Sequence, residues 1–360
     1  MSVAEILEGK QVVVCAGSGG VGKTTAAAAV ALGMALGGAK VAVVTIDPAR
    51  RLAGALGLDM LDNEPQRIDS RRLAGVTLNG ELWAMMLDPK RTFDDLIDSV
   101  APTPERAAEI KANRIYRQLS TAVAGSQEFT AVSKLYELSQ SGRFDLIVLD
   151  TPPARNALDF FDAPARLEAF LEGGALKALL RPTSVGMRLF AKGAAPVLGA
   201  LRKVTGVDVT TDLATFFALL GGMTEIFGKR ARHVDLLLHA PTTGFLLVTS
   251  PQAGPTDDAI NFRRTLAAGQ LPFSGAIVNR VHPPLAPSPA DSRLPGIDPA
   301  LEQKLAEAAA EYGVLAARDA VNIARLTAAL DDAPVLLVPE LEDDVNDVHG
   351  LVRIHRELFK

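Results

Sequence analysis

Gly17–Thr25 reads GSGGVGKTT. Within it, Gly17, Gly22, Lys23 and Thr24 satisfy the pattern G-x-x-x-x-G-K-[ST], whose chemistry is phosphate binding. Glycines let the backbone curl until successive N–H groups point at one anion. Gly19, Gly20, Val21, Gly22, Lys23, Thr24 and Thr25 are therefore the expected phosphate-binding residues. The Lys23 ammonium would reach the β- and γ-phosphates, and the Thr24 hydroxyl would ligate Mg²⁺. The flanks agree with this reading. Gln11–Ala16 (QVVVCA) is a short apolar run suited to a buried strand. Thr25–Leu36 (TAAAAVALGMAL) is an Ala-rich helix whose N-terminus would face the phosphates. Strand, loop and helix follow in the order the motif requires, so the chain is expected to bind a nucleotide.

Working outward, Lys40–Ile46 (KVAVVTI) predicts a second strand, and Asp47 emerges at its C-terminal end. In doubly wound sheets that edge is where ligands bind. Residues 59–80 read as loop, and Glu81–Leu87 as a third strand. From Pro89 to Gly142 the pattern turns helical, broken at Pro102, Pro104 and Gly125–Ser126. Arg143–Asp150 (RFDLIVLD) predicts a fourth strand ending in a carboxylate, the Walker B candidate. Residues 163–240, rich in Leu, Ala, Phe and Gly, show no clear strand and read as an inserted helical layer. Alternation resumes with strands over Gly244–Thr249, Phe273–Asn279 and Val335–Val338, and a helix over Thr256–Ala268. His282–Gly296 is Pro-rich and reads as an exposed loop. Two helices, over about 298–312 and 316–330, and a closing helix, Val345–Leu358, complete the chain. The expected organisation is one domain, 1–360. Its core takes in about 1–88, 143–162 and 241–360, and its helical subdomain about 89–142 and 163–240.

Composition narrows the function classes. Apolar residues make up 48% of the 360, enough for a large core, and only 5% are aromatic, so that core is mostly aliphatic. A net charge of −5 and the lack of any Lys/Arg run argue against general nucleic-acid binding. No run of about 18 uncharged apolar residues predicts a membrane span. The N-terminus MSVAEILEGK lacks an apolar signal core, so a cytoplasmic location is expected. Cys15 is the sole cysteine, which excludes disulfides within the chain and a thiol metal cluster within one subunit. The five histidines show no zinc spacing, and His349 and His355 read as a solvated helix face.

Taken together, GSGGVGKTT, TIDPARRLAGALG, DTPPARNAL, FLLVTSP, AIVNR and VPELEDDVNDVHGL resemble, in this order, the ArsA-like ATPases. That family includes arsenite-pump ATPases and the ATPase that delivers tail-anchored membrane proteins. The resemblance covers about residues 10–355 and is most specific to actinobacterial "anion-transporting ATPase" proteins, which occur as paralogous pairs. It implies a doubly wound, mostly parallel α/β sheet of the deviant P-loop type with an inserted helical subdomain. It also implies ATP/ADP and Mg²⁺ as ligands, and a dimer with nucleotide sites facing across the interface. Matched by position, Asp47 is the switch I residue that orients the attacking water, and with Lys23 forms the catalytic pair. Asp150 is the Walker B carboxylate, and Thr24, Asp47 and Asp150 form the Mg²⁺ set. Thr151–Pro153 begins switch II. Asn279 would hydrogen-bond adenine, with Pro339 and Glu340 lining the base pocket. Each role has a plain structural alternative: Asp47 or Asp150 capping a helix, and Asn279 ending a strand in a turn.

Two departures bear on function. The family loop usually reads GKGG, with a signature lysine that crosses to the partner's nucleotide; here that position is Ser18. The DPA segment usually continues His-Asn, and here continues Arg50–Arg51, either of which would assist catalysis or pair with an acidic neighbour. A single cysteine supplies neither the cysteine triad associated with arsenite nor a zinc-clamping C-x-x-C pair. The expected function is an ATP-driven dimeric switch that couples hydrolysis to a helical layer presenting an apolar groove to a protein client. The expected partner is a paralogous subunit that keeps the lysine, a homodimer being the other possibility. Two other classes are a regulatory subunit with little turnover, and a MinD-like membrane-positioning ATPase using an amphipathic C-terminal helix.

Overall fold

A computed structural model describes residues 1–47, 51–69, 73, 75–114, 116–117, 126–151, 219, 224–285, 298–342, 345 and 347–360. The described chain opens with a one-turn helix, α1 (Val3–Ile6), whose Ser2 cap and Glu5 exchange hydrogen bonds. It then runs β1 (Val12–Ala16), α2 (Lys23–Leu36), β2 (Lys40–Thr45), α3 (Arg51–Ala55), β3 (Gln66–Arg67) and β4 (Glu81–Met86). Three helices follow: α4 (Pro89–Val100), α5 (Pro104–Ala112) and α6 (Ser126–Gln140). Next come β5 (Leu146–Asp150), α7 (Thr224–His239), β6 (Thr243–Thr249), α8 (Ala253–Ala268) and β7 (Phe273–Val281). α9 (Pro299–Ala329), β8 (Val335–Pro339) and α10 (Val348–Leu358) end the chain.

The eight strands form one sheet in the order β3-β4-β2-β5-β1-β6-β7-β8, parallel except that β3 pairs antiparallel with β4. Every residue of β1, β5 and β6 is buried, so helices cover both faces of the sheet centre, as parallel strands require. The valines of β1 that mark it in the sequence, Val12, Val13 and Val14, are wholly buried, each contributing about 1.5–3 kcal/mol. From β1 the chain builds β2 and β4 on one side; from β5 it passes back across β1 to build β6, β7 and β8 on the other. The loop after β1 lies at that reversal, where the crevice of a doubly wound sheet opens. The result is an α/β fold with a mostly parallel sheet and flanking helices.

The described residues group into two compact units. One holds all eight strands with α1, α2, α3, α8, α9 and α10. In it α2 packs Ala26–Ala29, Val30 and Ala31 into the core, and α10 covers α2 with Leu351, Ile354 and Leu358. The other unit holds α4, α5, α6 and α7. Its α4 packs against α5 and α6, and Tyr136 of α6 stacks on His233 of α7 with ring centroids 5.6 Å apart. Among the described residues no helix is long and apolar enough to cross a membrane.

Several expectations need correction. The two helices expected over 298–330 are one helix, α9, of 31 residues. Gly313 lies inside it with open space around it, and strong helix formers on either side carry the helix past a single glycine at about 1 kcal/mol. The expected loop at 59–80 contains the two-residue strand β3. His355 is half-buried against Phe359, with centroids 4.7 Å apart, so it does not lie on a solvated face. The apolar residues of α10, Val348, Leu351, Ile354 and Leu358, are buried within the fold. Most of the inserted layer at 163–240 and of the loop at 282–296 lies outside the described residues.

Candidate nucleotide-binding site

The loop between β1 and α2 is held by its neighbours. At Gly17 a side chain would collide with the Val248 carbonyl of β6, so only glycine lets the two backbones approach. Gly22 is the N-cap of α2 at φ 92°, a left-handed conformation, and a side chain there would meet the Asn279 amide. Gly19 and Gly20 are exposed, Val21 is buried, and Thr24 and Thr25 are half-buried.

Lys23 is the first residue of α2 and is buried, with Nζ donating to the Ser18 carbonyl at 2.7 Å. Burial lowers its pKa, against the pull of Asp150 and Asp47, which favour the charge. Ser18 in turn donates its hydroxyl to Asp258 on α8 at 2.6 Å.

Asp150 ends β5 directly beside Cys15 of β1 and Thr45 of β2 in the parallel ladders. One carboxylate oxygen, Oδ2, accepts from the Thr24 hydroxyl at 2.7 Å and from the Thr45 hydroxyl at 2.8 Å. The other, Oδ1, is buried with no hydrogen-bond partner. Burial pushes Asp150 up to about 6, while the two hydroxyls and the Lys23 charge pull against it. A buried bare carboxylate oxygen next to a threonine hydroxyl is a donor set of hard oxygens, and it fits a hydrated Mg²⁺. Among the described residues no three His, Cys, Asp or Glu side chains gather to enclose a metal by themselves.

Asp47 lies two residues beyond β2. Its N–H donates to the Thr45 hydroxyl at 3.1 Å, and its Oδ2 is 3.5 Å from Arg51 Nη1. Of the two arginines after the DPA segment, Arg51 thus pairs with Asp47, and Arg50 lies outside the described residues. Thr151 donates both its N–H and its hydroxyl to the Cys15 carbonyl. The rest of the expected switch II, 152–153, lies outside the described residues.

Asn279 is buried on β7, and its amide nitrogen donates to the Val21 carbonyl at 3.0 Å. Pro339 pairs with Val281 across β7 and β8, and the next N–H, that of Glu340, donates to the Val281 carbonyl at 2.9 Å. The phosphate loop, Asp150 and Asn279 are thus brought together at the C-terminal edge of the sheet, and Pro339–Glu340 stand at that edge on the neighbouring strand. Sequence reasoning missed Thr45, whose one signal is a polar residue closing an apolar strand. It also missed Asp258 and His282, whose partners lie far away in the chain.

Residues 10–284 match the family described as anion-transporting ATPase. An uncharacterized protein of Streptomyces coelicolor is 29% identical over 336 residues, covering 92% of this chain and 77% of its own. The ATPase ARSA1 of Chlamydomonas reinhardtii is 25% identical over 306 residues, 77% of this chain and 36% of its own. The ATPase GET3 of Malassezia globosa is 26% identical over 212 residues, 59% of this chain and 56% of its own. This chain therefore spans about a third of the algal relative and about half of the fungal one. The family match takes in the phosphate loop, Asp47, Asp150 and Asn279 and runs over well more than half of the sequence: the chain belongs to the anion-transporting ATPase family.

Proposed function

We propose that this chain is a Mg²⁺-dependent, cytoplasmic ATPase that works as one half of a dimer. The observation that carries the reading is the Thr24–Asp150–Thr45 cluster, with its bare buried Oδ1, at the mouth of a glycine loop that leads into a helix N-terminus. Phosphoryl transfer asks a protein mainly for positioning and charge neutralisation. Lys23 exchanges its bond to the Ser18 carbonyl for a charge-assisted one to phosphate. The backbone N–H groups of Gly19–Thr25 surround the phosphate oxygens. Thr24 and Asp150 would hold the ion, which would supply positive charge against the phosphates. Asp47 orients the attacking water, its backbone fixed through Thr45. Asn279, Pro339 and Glu340 line the base pocket.

The dimer couples nucleotide state to a helical subdomain, of which α4–α7 are part, and that subdomain presents an apolar surface to a protein client. The partner subunit is a paralogue that carries the lysine this chain replaces with Ser18. The named ATPase relatives favour turnover over a purely regulatory role. Burial of the apolar face of α10 speaks against a MinD-like membrane helix.

The test is Lys23→Ala in calorimetry with ATP and Mg²⁺. Loss of a charge-assisted contact of about 1.5–3 kcal/mol should weaken binding roughly tenfold to a hundredfold. Unchanged affinity would sink the assignment of this loop.

A further inference from the structure

Just beyond β7, one imidazole joins three elements. His282 is the first residue after β7, three beyond Asn279. Its Nδ1 lies 2.7 Å from Asp319 Oδ2, and its backbone N–H donates to that same oxygen at 3.0 Å. Its Nε2 lies 2.9 Å from Glu340 Oε2. Asp319, on α9, is fully buried, and its other oxygen accepts twice from the Arg318 guanidinium, at 2.9 and 3.2 Å. Tyr312, two turns earlier on α9, stands edge-on to the imidazole at 5.5 Å. Ionised carboxylates only accept, so a ring N–H of His282 is the donor in this bridge.

The arrangement has a direction. Asp319 is buried and accepts on both oxygens, from His282 and Arg318; Glu340 is half exposed and has a flexible side chain. A fixed acid behind the ring and a free acid in front of it make His282 a strut that sets where the Glu340 carboxylate stands. The Glu340 backbone is tied to Val281, two residues from Asn279, so that carboxylate is held at the sheet edge from which Asn279 reaches the phosphate loop.

We infer that His282 is a positioning residue for base selection: braced by Asp319, it holds Glu340 as an acceptor for the exocyclic amine of a 6-aminopurine nucleotide. This rests on the reading that Asn279, Pro339 and Glu340 line the base pocket. Adenine offers an N–H donor where guanine offers a carbonyl oxygen. A carboxylate held at that edge attracts the first and repels the second. Without the strut, Glu340 turns to water and the discrimination fades.

The experiment measures ATP and GTP affinities by calorimetry, with KM and kcat, for the full chain and three variants. His282→Ala should weaken ATP roughly tenfold with GTP little changed, so the ATP/GTP ratio falls while kcat stays near wild type. Glu340→Gln should lower the ratio as much, and the double variant no further, since both act through one carboxylate. His282→Gln, which keeps one N–H donor, should recover part of the loss. An unchanged ratio in His282→Ala, or fully additive effects in the double variant, overturns the inference. If His282→Ala does not fold, the half-exposed Glu340→Gln decides alone, and an unmoved ratio is the overturning result. Wild-type protein that binds neither nucleotide overturns the nucleotide reading itself, an outcome distinct from binding without discrimination.

Discussion

The Ser18 hydroxyl donates to Asp258 Oδ2 at 2.6 Å, joining the first turn of the phosphate loop to a helix 240 residues further along. The same serine gives its carbonyl to Lys23. A residue that stands where the family resemblance expects a cationic finger is therefore occupied within its own subunit, facing an acid.

This fixes what restoring the lysine should do. Ser18→Lys would meet Asp258 in cis and be held back from a partner's nucleotide. Alone it should raise turnover little; combined with Asp258→Asn it should raise it more. The isolated wild-type chain should hydrolyse ATP slowly. Mixing with a lysine-bearing paralogue should accelerate it toward the roughly 10³-fold or more that cationic fingers supply. Steady-state phosphate release checks this, and isolated protein as fast as the mixture would refute the heterodimer argument.

Asp47→Asn should bind ATP within a few-fold of wild type yet turn it over about 10²–10⁴ times more slowly, because the water loses its orienting carboxylate. Arg51→Ala, which frees Asp47 of its 3.5 Å partner, should leave the melting temperature nearly unchanged, since both side chains reach solvent. Single-turnover hydrolysis separates binding from chemistry. Near-normal turnover in Asp47→Asn would place the water elsewhere.

Asp150 gives a pH signature to the nucleotide-free, Mg²⁺-free protein. Its carboxyl is pushed up from 3.8 to about 6 by burial, so between those values the folded state holds a proton that the unfolded chain has released. Stability therefore falls as pH rises through that window and levels off above it, by roughly 3 kcal/mol in all. Asp150→Asn keeps acceptors for Thr24 and Thr45 without the buried charge. It should melt higher than wild type at pH 7 and lose this slope, while losing Mg²⁺-dependent turnover. Parallel melting curves for the two proteins across pH 4–7 would contradict the burial account.

Asn279→Ala should weaken ATP and narrow its advantage over GTP. It also removes the donor to the Val21 carbonyl, so the phosphate loop should loosen and the melting temperature drop. A lower melting temperature with an unmoved selectivity ratio would show that Asn279 braces the loop and reads no base.

The sequence carries the centre of this fold plainly and its periphery poorly. β1, β2, β5 and β6 are legible because strands buried on both faces must be unbroken apolar runs. The phosphate loop is legible because its geometry is local and only glycine serves at Gly17 and Gly22. β3 has two exposed residues and no pattern to read. Gly313 marks a break that the helix runs through, since nothing presses on it from outside. The contacts that finish the site, Ser18 to Asp258 and His282 to Asp319, join residues that only the folded sheet brings together. No spacing within the chain announces them.

Cys15 is the fourth of the five residues of β1, wholly buried between Asp150 of β5 and Leu246 of β6. Burial first, and the Asp150 charge second, push its thiol far above the usual range, and only the thiolate attacks an alkylating reagent. The strand that delivers the phosphate loop therefore contains a chemical group that reacts only when the centre of the sheet parts. Its rate of labelling counts those openings, and being the sole thiol, it counts them without interference from anywhere else in the chain. The protein carries its own probe for the moment its core comes open.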